Sequence, residues 1–382
     1  MEVYLDNSAT TRVLDEVMDE VRYMSVECYG NPSSVHRMGL NTEKKIQEAR
    51  KSAASVINAR PEEIFFTGGG TESNNIAIFG ILNGAGENKN VVTTQIEHPS
   101  VYNVFTHLKD KFEVRYVNLD SLGKANVESL TEMVDENTAM VCIMHVNNEL
   151  GIIQDIEEIG SIVKNKNRNA KFHVDAVQSY GKIKIDTKKI KADTIAFSSH
   201  KIHGPKGVGG LYIRSGLKIS PTTIGGGQER NIRPGTENTP GIAGFGKACE
   251  IVEKNFHEEA KRLKELKNIY AQRIAEEIEH VKINSPLDDD GAQHILSVSF
   301  KNVRGEVLVH YLEMKGIYVS TGSACSSKSK SSRILDAIGL QEEYVDGTIR
   351  ISLGHFNHLG EVDYVIQNLK DSVTDIRKIM KL

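Results

Sequence analysis

The feature that most constrains this chain is an alternation along its first 215 or so residues. Short apolar runs rich in β-branched residues recur: EIFFT, NVVTTQ, FEVRYV, AMVCIMHV, KFHVDA, DTIAFSS and VGGLYIR. Before and between them lie segments whose apolar residues return at helical spacing, namely RVLDEVMDEVRYM, LNTEKKIQEARKSAASVI, SNNIAIFGIL, SVYNVFTHL and DIEEIGSIVK. Strands that are apolar on both faces must be covered on both faces. The pattern therefore predicts an α/β fold with a large, mostly parallel sheet between two layers of helices. A long helix is expected from about Gly241 to Glu279. Beyond it the order changes to HILSVSF, a helix near EVLVHYLEMK, the strand IYVS, a serine- and lysine-rich loop, a helix at RILDAIGL, the strand TIRISL and a terminal helix. We read two domains: a large α/β domain over 16–255, and a small α+β domain from 1–15 and 256–382 that carries the loop at about 321–332.

A chain of 382 residues can bury a large core without cross-links. Its net charge of −4 leaves no broad basic footprint for nucleic acid. No apolar run reaches membrane-spanning length. The start, MEVYLDNSATT, lacks the charged-then-apolar order of a secretory signal, so a cytoplasmic location is expected. The four cysteines, Cys28, Cys142, Cys249 and Cys325, form no CxxC pair, which argues against a structural zinc site or a redox dithiol. Cys142 and Cys249 read as packing residues within a strand and a helix; Cys28 has no assignment.

Open α/β sheets bind ligands beyond the carboxyl ends of their strands, so the residues that follow each strand carry the chemistry. TGGGTESNN places glycines and Thr71 at a helix start, where bare N–H groups favour an anion or simply an ordinary cap. It matches neither GxGxxG nor the Walker pattern. His98 in IEHPS is a helix cap or a ring-stacking imidazole. Asn147 and Asn148 in VNNELG are turn formers or ligand contacts. Asp175 ends an apolar strand, with Gln178 three residues on; a carboxylate there caps a helix or needs a cationic partner. Ser198, His200 and Lys201 follow a strand directly and precede a glycine-rich turn, a setting that suits a Schiff-base lysine. GGGQERNIRPGTEN, with Arg230, Arg233 and Thr236, is an ordered surface loop or the rest of a phosphate cup. In GTIRISLG, Ile349, Ile351 and Leu353 take one face, and Arg350 the other, facing solvent or a carboxylate. Read together, these groups call for a phosphate, a pyridinium nitrogen, an aldehyde and a substrate carboxylate. That combination is pyridoxal 5'-phosphate with an amino acid.

Cys325 stands in STGSACSSKSKSS, a stretch that could build no core. A thiol placed there is either incidental or meant to travel. Small residues such as Gly322 permit a swing, and Lys328 and Lys330 either favour its thiolate or serve solubility and docking.

With YLDNSATT, GNPSSVH, TGGGTESNN, EHPS, HVNNELG, HVDAVQ, SSHKIHGPKGVGGLY, GGGQERNIRPGTEN, STGSAC and TIRISLG in this order, the chain resembles the NifS/IscS-type cysteine desulfurases, class-V aminotransferase-like enzymes of fold type I. The resemblance spans nearly the whole chain. It implies a fold-type-I pyridoxal-phosphate transferase with Lys201 holding the cofactor as a Schiff base. It implies Asp175 on the pyridine nitrogen, Gln178 on the phenolic oxygen and His98 over the ring. Gly70, Thr71, Ser198, His200 and Thr236 would hold the phosphate, Thr236 from the dimer partner. Asn148 and Arg350 would hold the substrate carboxylate. Lys201 would take the Cα proton, His98 would move the thiol proton, and Cys325 would accept sulfur as a persulfide while L-cysteine becomes L-alanine. A homodimer and delivery to an iron-sulfur scaffold protein or to tRNA thiolation are implied, with no resident metal and Cys325 as a conceivable transient [2Fe-2S] ligand. Ser199 departs from the glycine usual before the His-Lys pair, and the loop after Cys325 is richer in lysine and serine and slightly shorter than in long-loop members. Selenocysteine lyases and ordinary class-V aminotransferases share this fold and cofactor. A non-catalytic sulfur-relay or scaffold protein is the alternative outside enzymes.

Overall fold

The computed structural model describes residues 1–321 and 332–380; Cys325 and its neighbours lie outside them. A two-residue strand, β1 (Val3–Tyr4), opens the chain. One sheet then takes seven strands: β2 (Ile64–Thr67), β3 (Asn90–Thr93), β4 (Glu113–Tyr116), β5 (Thr138–Met144), β6 (Lys171–Asp175), β7 (Thr194–Ser198) and β8 (Gly209–Ile213). Their order is β2-β8-β7-β6-β5-β3-β4. All neighbours from β4 to β7 pair in parallel, and only β8 runs against both of its partners.

The strand residues divide between two layers as period-2 geometry demands. Val91, Met140 and Cys142 pack under helices 70–82 and 99–108, against Ile78, Val101 and Phe105. Val92, Val141 and Ile143 face the other way, into a core with Ala49, Ala53, Ile159, Val163 and Phe245. Both faces are therefore dry, which is why the central strands read as unbroken apolar runs. Cys28, unassigned from sequence, is buried beside Met24 and Ala243.

The helix Thr239–Glu277 has 39 residues, about 58 Å at 1.5 Å per residue. Its first half, with Ile242, Phe245 and Ala248, belongs to the sheet's core. Its second half, with Leu263, Leu266, Tyr270 and Ile274, belongs to another core. That second core lines an antiparallel sheet of β9 (Val281–Ile283), β10 (Ile295–Phe300) and β12 (Thr348–Ser352), with β10 in the middle. β11 (Ile317–Tyr318) pairs in parallel with β1. Bridges from Asp6 to Ser352 and from Ser320 to Arg350 then fasten both to the edge of β12. Val3 and Leu5 thus pack with the C-terminal core, whereas Leu14 and Val17 pack with the large sheet. The N-terminal segment crosses from one core to the other, and it does so over the carboxyl ends of the central strands.

Candidate active site

Register aligns Met144 of β5 with Asp175 of β6, and Asp175 with Ala196 of β7. The carboxyl ends of these three strands therefore lie side by side. A cavity of about 930 Å³ opens above them. Its wall takes Asp6, Ser8 and Ala9 from the N-terminal segment, Ser320 and Arg350 from the smaller sheet, and Arg333 from the helix Arg333–Ala337.

Lys201 follows β7 at the end of a single 3-10 turn, Ser199–Lys201. Its Nζ donates to the carbonyl oxygens of Ser8 and, at 2.8 Å, Ala9. Burial lowers its pKa to about 8; Arg350 pushes the same way, while Asp6 and Asp175 oppose. An amine so placed is partly neutral near physiological pH, as a nucleophile or base requires. Gly204 makes room for the unusual Ser199, since a Cβ at position 204 would lie 2.1 Å from Ser199 Oγ.

Asp175 is 3% exposed. Its Oδ2 accepts from Asn74 Nδ2 at 2.8 Å and its Oδ1 from the Val177 N–H at 3.0 Å. Asn74 also donates to Ser100 Oγ at 2.8 Å, and its Oδ1 meets His173 Nε2 at 2.9 Å. Ser100 Oγ lies 2.8 Å from His98 Nδ1. His98 caps the helix Pro99–Leu108, its Nδ1 accepting from the Ser100 N–H at 3.2 Å. The cap and the cavity-lining role expected of His98 coexist. Burial lowers its pKa, with Lys201 and Arg333 adding and Asp175 opposing. With Asn74 donating to Ser100 Oγ, the Ser100 hydroxyl donates onward to Nδ1. The neutral imidazole then carries its proton on Nε2.

Gly70 and Thr71 start the helix Gly70–Leu82 beside Ser198 and His200 on the cavity wall. Gly70 is required: a Cβ there would sit 2.5 Å from Val177 Cγ2. Gly209 is required too, since its Cβ would meet Gly69 Cα and the Phe197 carbonyl oxygen at 2.7 Å. His200 Nδ1 lies 3.1 Å from Thr10 Oγ1. Burial first, then Lys201 and other lysines, lowers its pKa to about 4, so it meets an anion as a neutral N–H donor.

Arg350 is 5% exposed, which removes the solvent-facing alternative. Its Nη1 donates to the Asn148 carbonyl at 2.8 Å and its Nη2 to Asp6 Oδ1 at 2.7 Å. Asn147 is turn chemistry: Oδ1 accepts from Glu149 and Leu150 N–H, and Nδ2 donates to the Ile96 carbonyl. Asn148 and Gln178 line the cavity. Gln178 spends one N–H on the Ser8 carbonyl at 2.9 Å.

Thr236, Arg230 and Arg233 do not line this cavity. Thr236 is exposed on a separate loop. Arg230 stacks on Phe65 at 3.9 Å, and Arg233 reaches Glu72 at 3.3 Å. Asn74, Ser100, Asp6, Ser8 and Arg333 are site residues that the sequence reading did not single out.

The buried atoms Ser198 Oγ, Gln178 Oε1, Asn148 Oδ1 and Arg350 Nε all belong to residues of the wall and have no partner among the described residues. Buried polar groups are rarely left so unless a ligand or water completes them. A phosphate at the Gly70–Ser198–His200 corner, a ring nitrogen at Asp175 and an aldehyde at Lys201 fit pyridoxal 5'-phosphate.

Comparison with known proteins agrees. Residues 3–365 match the aminotransferase class-V family. Cysteine desulfurase IscS of Clostridium botulinum is 40% identical over 100% of this chain and 96% of its own. IscS 1 of Archaeoglobus fulgidus is 40% identical over 99% of both chains. Among solved structures, a NifS-like protein superposes with a TM-score of 0.92 at 41% identity, covering 98% of this chain and all of its own. SspA in complex with cysteine superposes with a TM-score of 0.81 at 33% identity, over 92% of this chain and 98% of its own. The chain belongs to the class-V aminotransferase family of pyridoxal-phosphate enzymes and, within it, to the NifS/IscS-type cysteine desulfurases.

Proposed function

We propose that this chain converts L-cysteine to L-alanine and passes the sulfur to Cys325 as a persulfide, for an iron-sulfur scaffold protein or another acceptor. The observation that carries this reading is the convergence of Lys201, Asp175 and Arg350 on one cavity whose wall residues hold unpartnered buried polar atoms, Ser198 Oγ and Arg350 Nε among them. Relatives named for this activity cover the chain end to end.

Pyridoxal 5'-phosphate supplies an electron sink next to the substrate Cα. Lys201 would hold it covalently, Asp175 would pair with its ring nitrogen, and His98 would lie against the ring. Gln178, with one N–H still uncommitted, would donate to the phenolic oxygen. Gly70, Thr71, Ser198 and His200 would hold the phosphate, joined by Thr236 of a second copy, whose exposure suits that reach. Arg350 and Asn148 orient the substrate carboxylate, and Lys201, once released, takes the Cα proton. Cys325 attacks the substrate sulfur as a thiolate: an S–S bond forms, the Cβ–Sγ bond breaks, and its electron pair stays on carbon to be protonated.

Intact mass after brief exposure to L-cysteine without reductant tests this. The expected result is one added sulfur atom, removed by reductant and absent from Cys325→Ala. A holoenzyme that adds no sulfur sinks the proposal and turns attention to selenocysteine and to amino-group acceptors.

A further inference from the structure

We propose that Arg333 and His98 together form a thiolate-binding pair, so that the substrate sulfur enters the site as an anion. This rests on the reading of the cavity as an L-cysteine site. The substrate S–H bond breaks, its proton goes to bulk water, and the electron pair stays on sulfur.

Arg333 is docked onto the same turn that begins with His98. Its Nη2 donates to the carbonyl of Glu97, the residue before His98, at 2.7 Å. Its guanidinium lies 3.8 Å from the ring centre of Tyr102, one helical turn on. Behind it, Ile334, Leu335, Ile338 and Leu340 pack with Ile96, Met144, Leu150 and Ile152, which fixes the short helix in place. Two contacts of the guanidinium are thereby fixed, one at Nη2 and one across its face. The remaining nitrogen, Nη1, is excluded from solvent and finds no hydrogen-bond partner among the described residues, although the side chain lines the cavity. A partly buried guanidinium with an idle N–H suits an anion.

The other polar group of this corner is also a donor. Asn74 and Ser100 commit His98 Nδ1 as an acceptor, which leaves the Nε2–H as its uncommitted end. Two donors suit a thiolate better than a thiol, whose sulfur accepts only weakly. This reverses the direction expected for His98: it holds the sulfur by its N–H and does not take the thiol proton. The carboxylate and phosphate of the reacting pair have Arg350 and the Gly70 corner, so the sulfur is the remaining anion for Arg333. Glu97, Glu149, Tyr102 and Tyr116 face Arg333, and Asp175 and Lys201 face His98. Glu97 and Glu149 act on Arg333 through space, and its hydrogen bond at this turn goes to the Glu97 backbone carbonyl and not to a carboxylate.

The test uses full-length holoenzyme with Cys325→Ala, so that L-cysteine binds without sulfur transfer. Calorimetric titrations with L-cysteine and with its neutral isostere L-serine are compared from pH 6.5 to 9. With Arg333 present, L-cysteine affinity should rise as pH passes through the thiol range, and L-serine affinity should stay level. Arg333→Gln should lower L-cysteine affinity about tenfold at pH 8 and move L-serine less than twofold, and Arg333→Lys should restore part of the difference. An equal loss for both amino acids would show Arg333 to be only an anchor of the helix, and an unchanged ratio would remove it from sulfur recognition; either overturns the proposal. Failure of both amino acids to bind the unmodified site would instead overturn the reading of the cavity itself.

Discussion

Lys182 follows the strand-end turn that bears Asp175 and Gln178. Its Nζ is enclosed and has no partner among the described residues. Burial, then Lys201 and Arg350, lowers its pKa from 10.5 to about 7. In the unfolded chain it keeps its ordinary value, so between pH 7 and 10.5 the unfolded state binds the extra proton and stability rises with pH. Below about pH 7 both states are protonated and the whole penalty stands, roughly 3–5 kcal/mol. Lys182→Met should therefore stabilise the protein by that order at pH 6, with the gain fading toward pH 10; urea unfolding across this range measures it. A gain that does not vary with pH would mean that packing, and not charge, is responsible. No such residue was legible in the sequence, because a lysine looks the same whether its tip is wet or dry. Lys201, Asp175 and Arg350 were legible because each stands at or in an apolar strand, where a charge demands a purpose. Asn74 was not: its amide is one of two in TESNN, and only the fold brings it to Asp175. The carbonyls of Ser8 and Ala9 left no trace in residue type at all.

Elements were easier to read than residues wherever burial is two-sided. The central strands of the large sheet and the helices flanking them follow from uniform apolar runs set against helical periodicity. β1 and β9 escaped notice, since two or three residues with mixed exposure carry no period. The helix Val127–Met133 escaped for a similar reason, with about two turns and only Ser129 and Leu130 buried. The 39-residue helix was visible as a length, but its role as the strut shared by two cores was not. That role depends on how closely it approaches helix 37–55. At Gly246 an added Cβ would meet Ala49 Cα and Cβ at 2.5 Å, one of them backbone. Helix propensity alone favours alanine over glycine by up to about 1 kcal/mol. Here overpacking wins, and Gly246→Ala should cost about 1–3 kcal/mol in denaturant unfolding. A stabilised variant would show that the two helices can slide apart without loss.

At the scale of the molecule, the cavity exists because three separate stretches meet there: the strand ends that carry Asp175 and Lys201, β12 with Arg350, and the N-terminal segment between them. Asp6 is the joint. Its Oδ1 pairs with Arg350 Nη2 at 2.7 Å, and its backbone bridges to Ser352. Arg350 and Asp6 side chains are 6% and 22% exposed, so the pair is well removed from water. Removing one partner of such a pair leaves an uncompensated charge, which costs on the order of 3–5 kcal/mol. Asp6→Asn keeps the shape and removes the counter-charge, so the free enzyme should lose stability by up to that amount. A ligand carboxylate at Arg350 would then supply the missing charge. The product L-alanine should consequently raise the melting temperature of Asp6→Asn holoenzyme by several degrees more than that of wild type. L-alaninamide, which has no carboxylate, should show no such difference. If the two proteins respond equally to L-alanine, Arg350 does not receive the carboxylate, and the joint at Asp6 serves the fold alone.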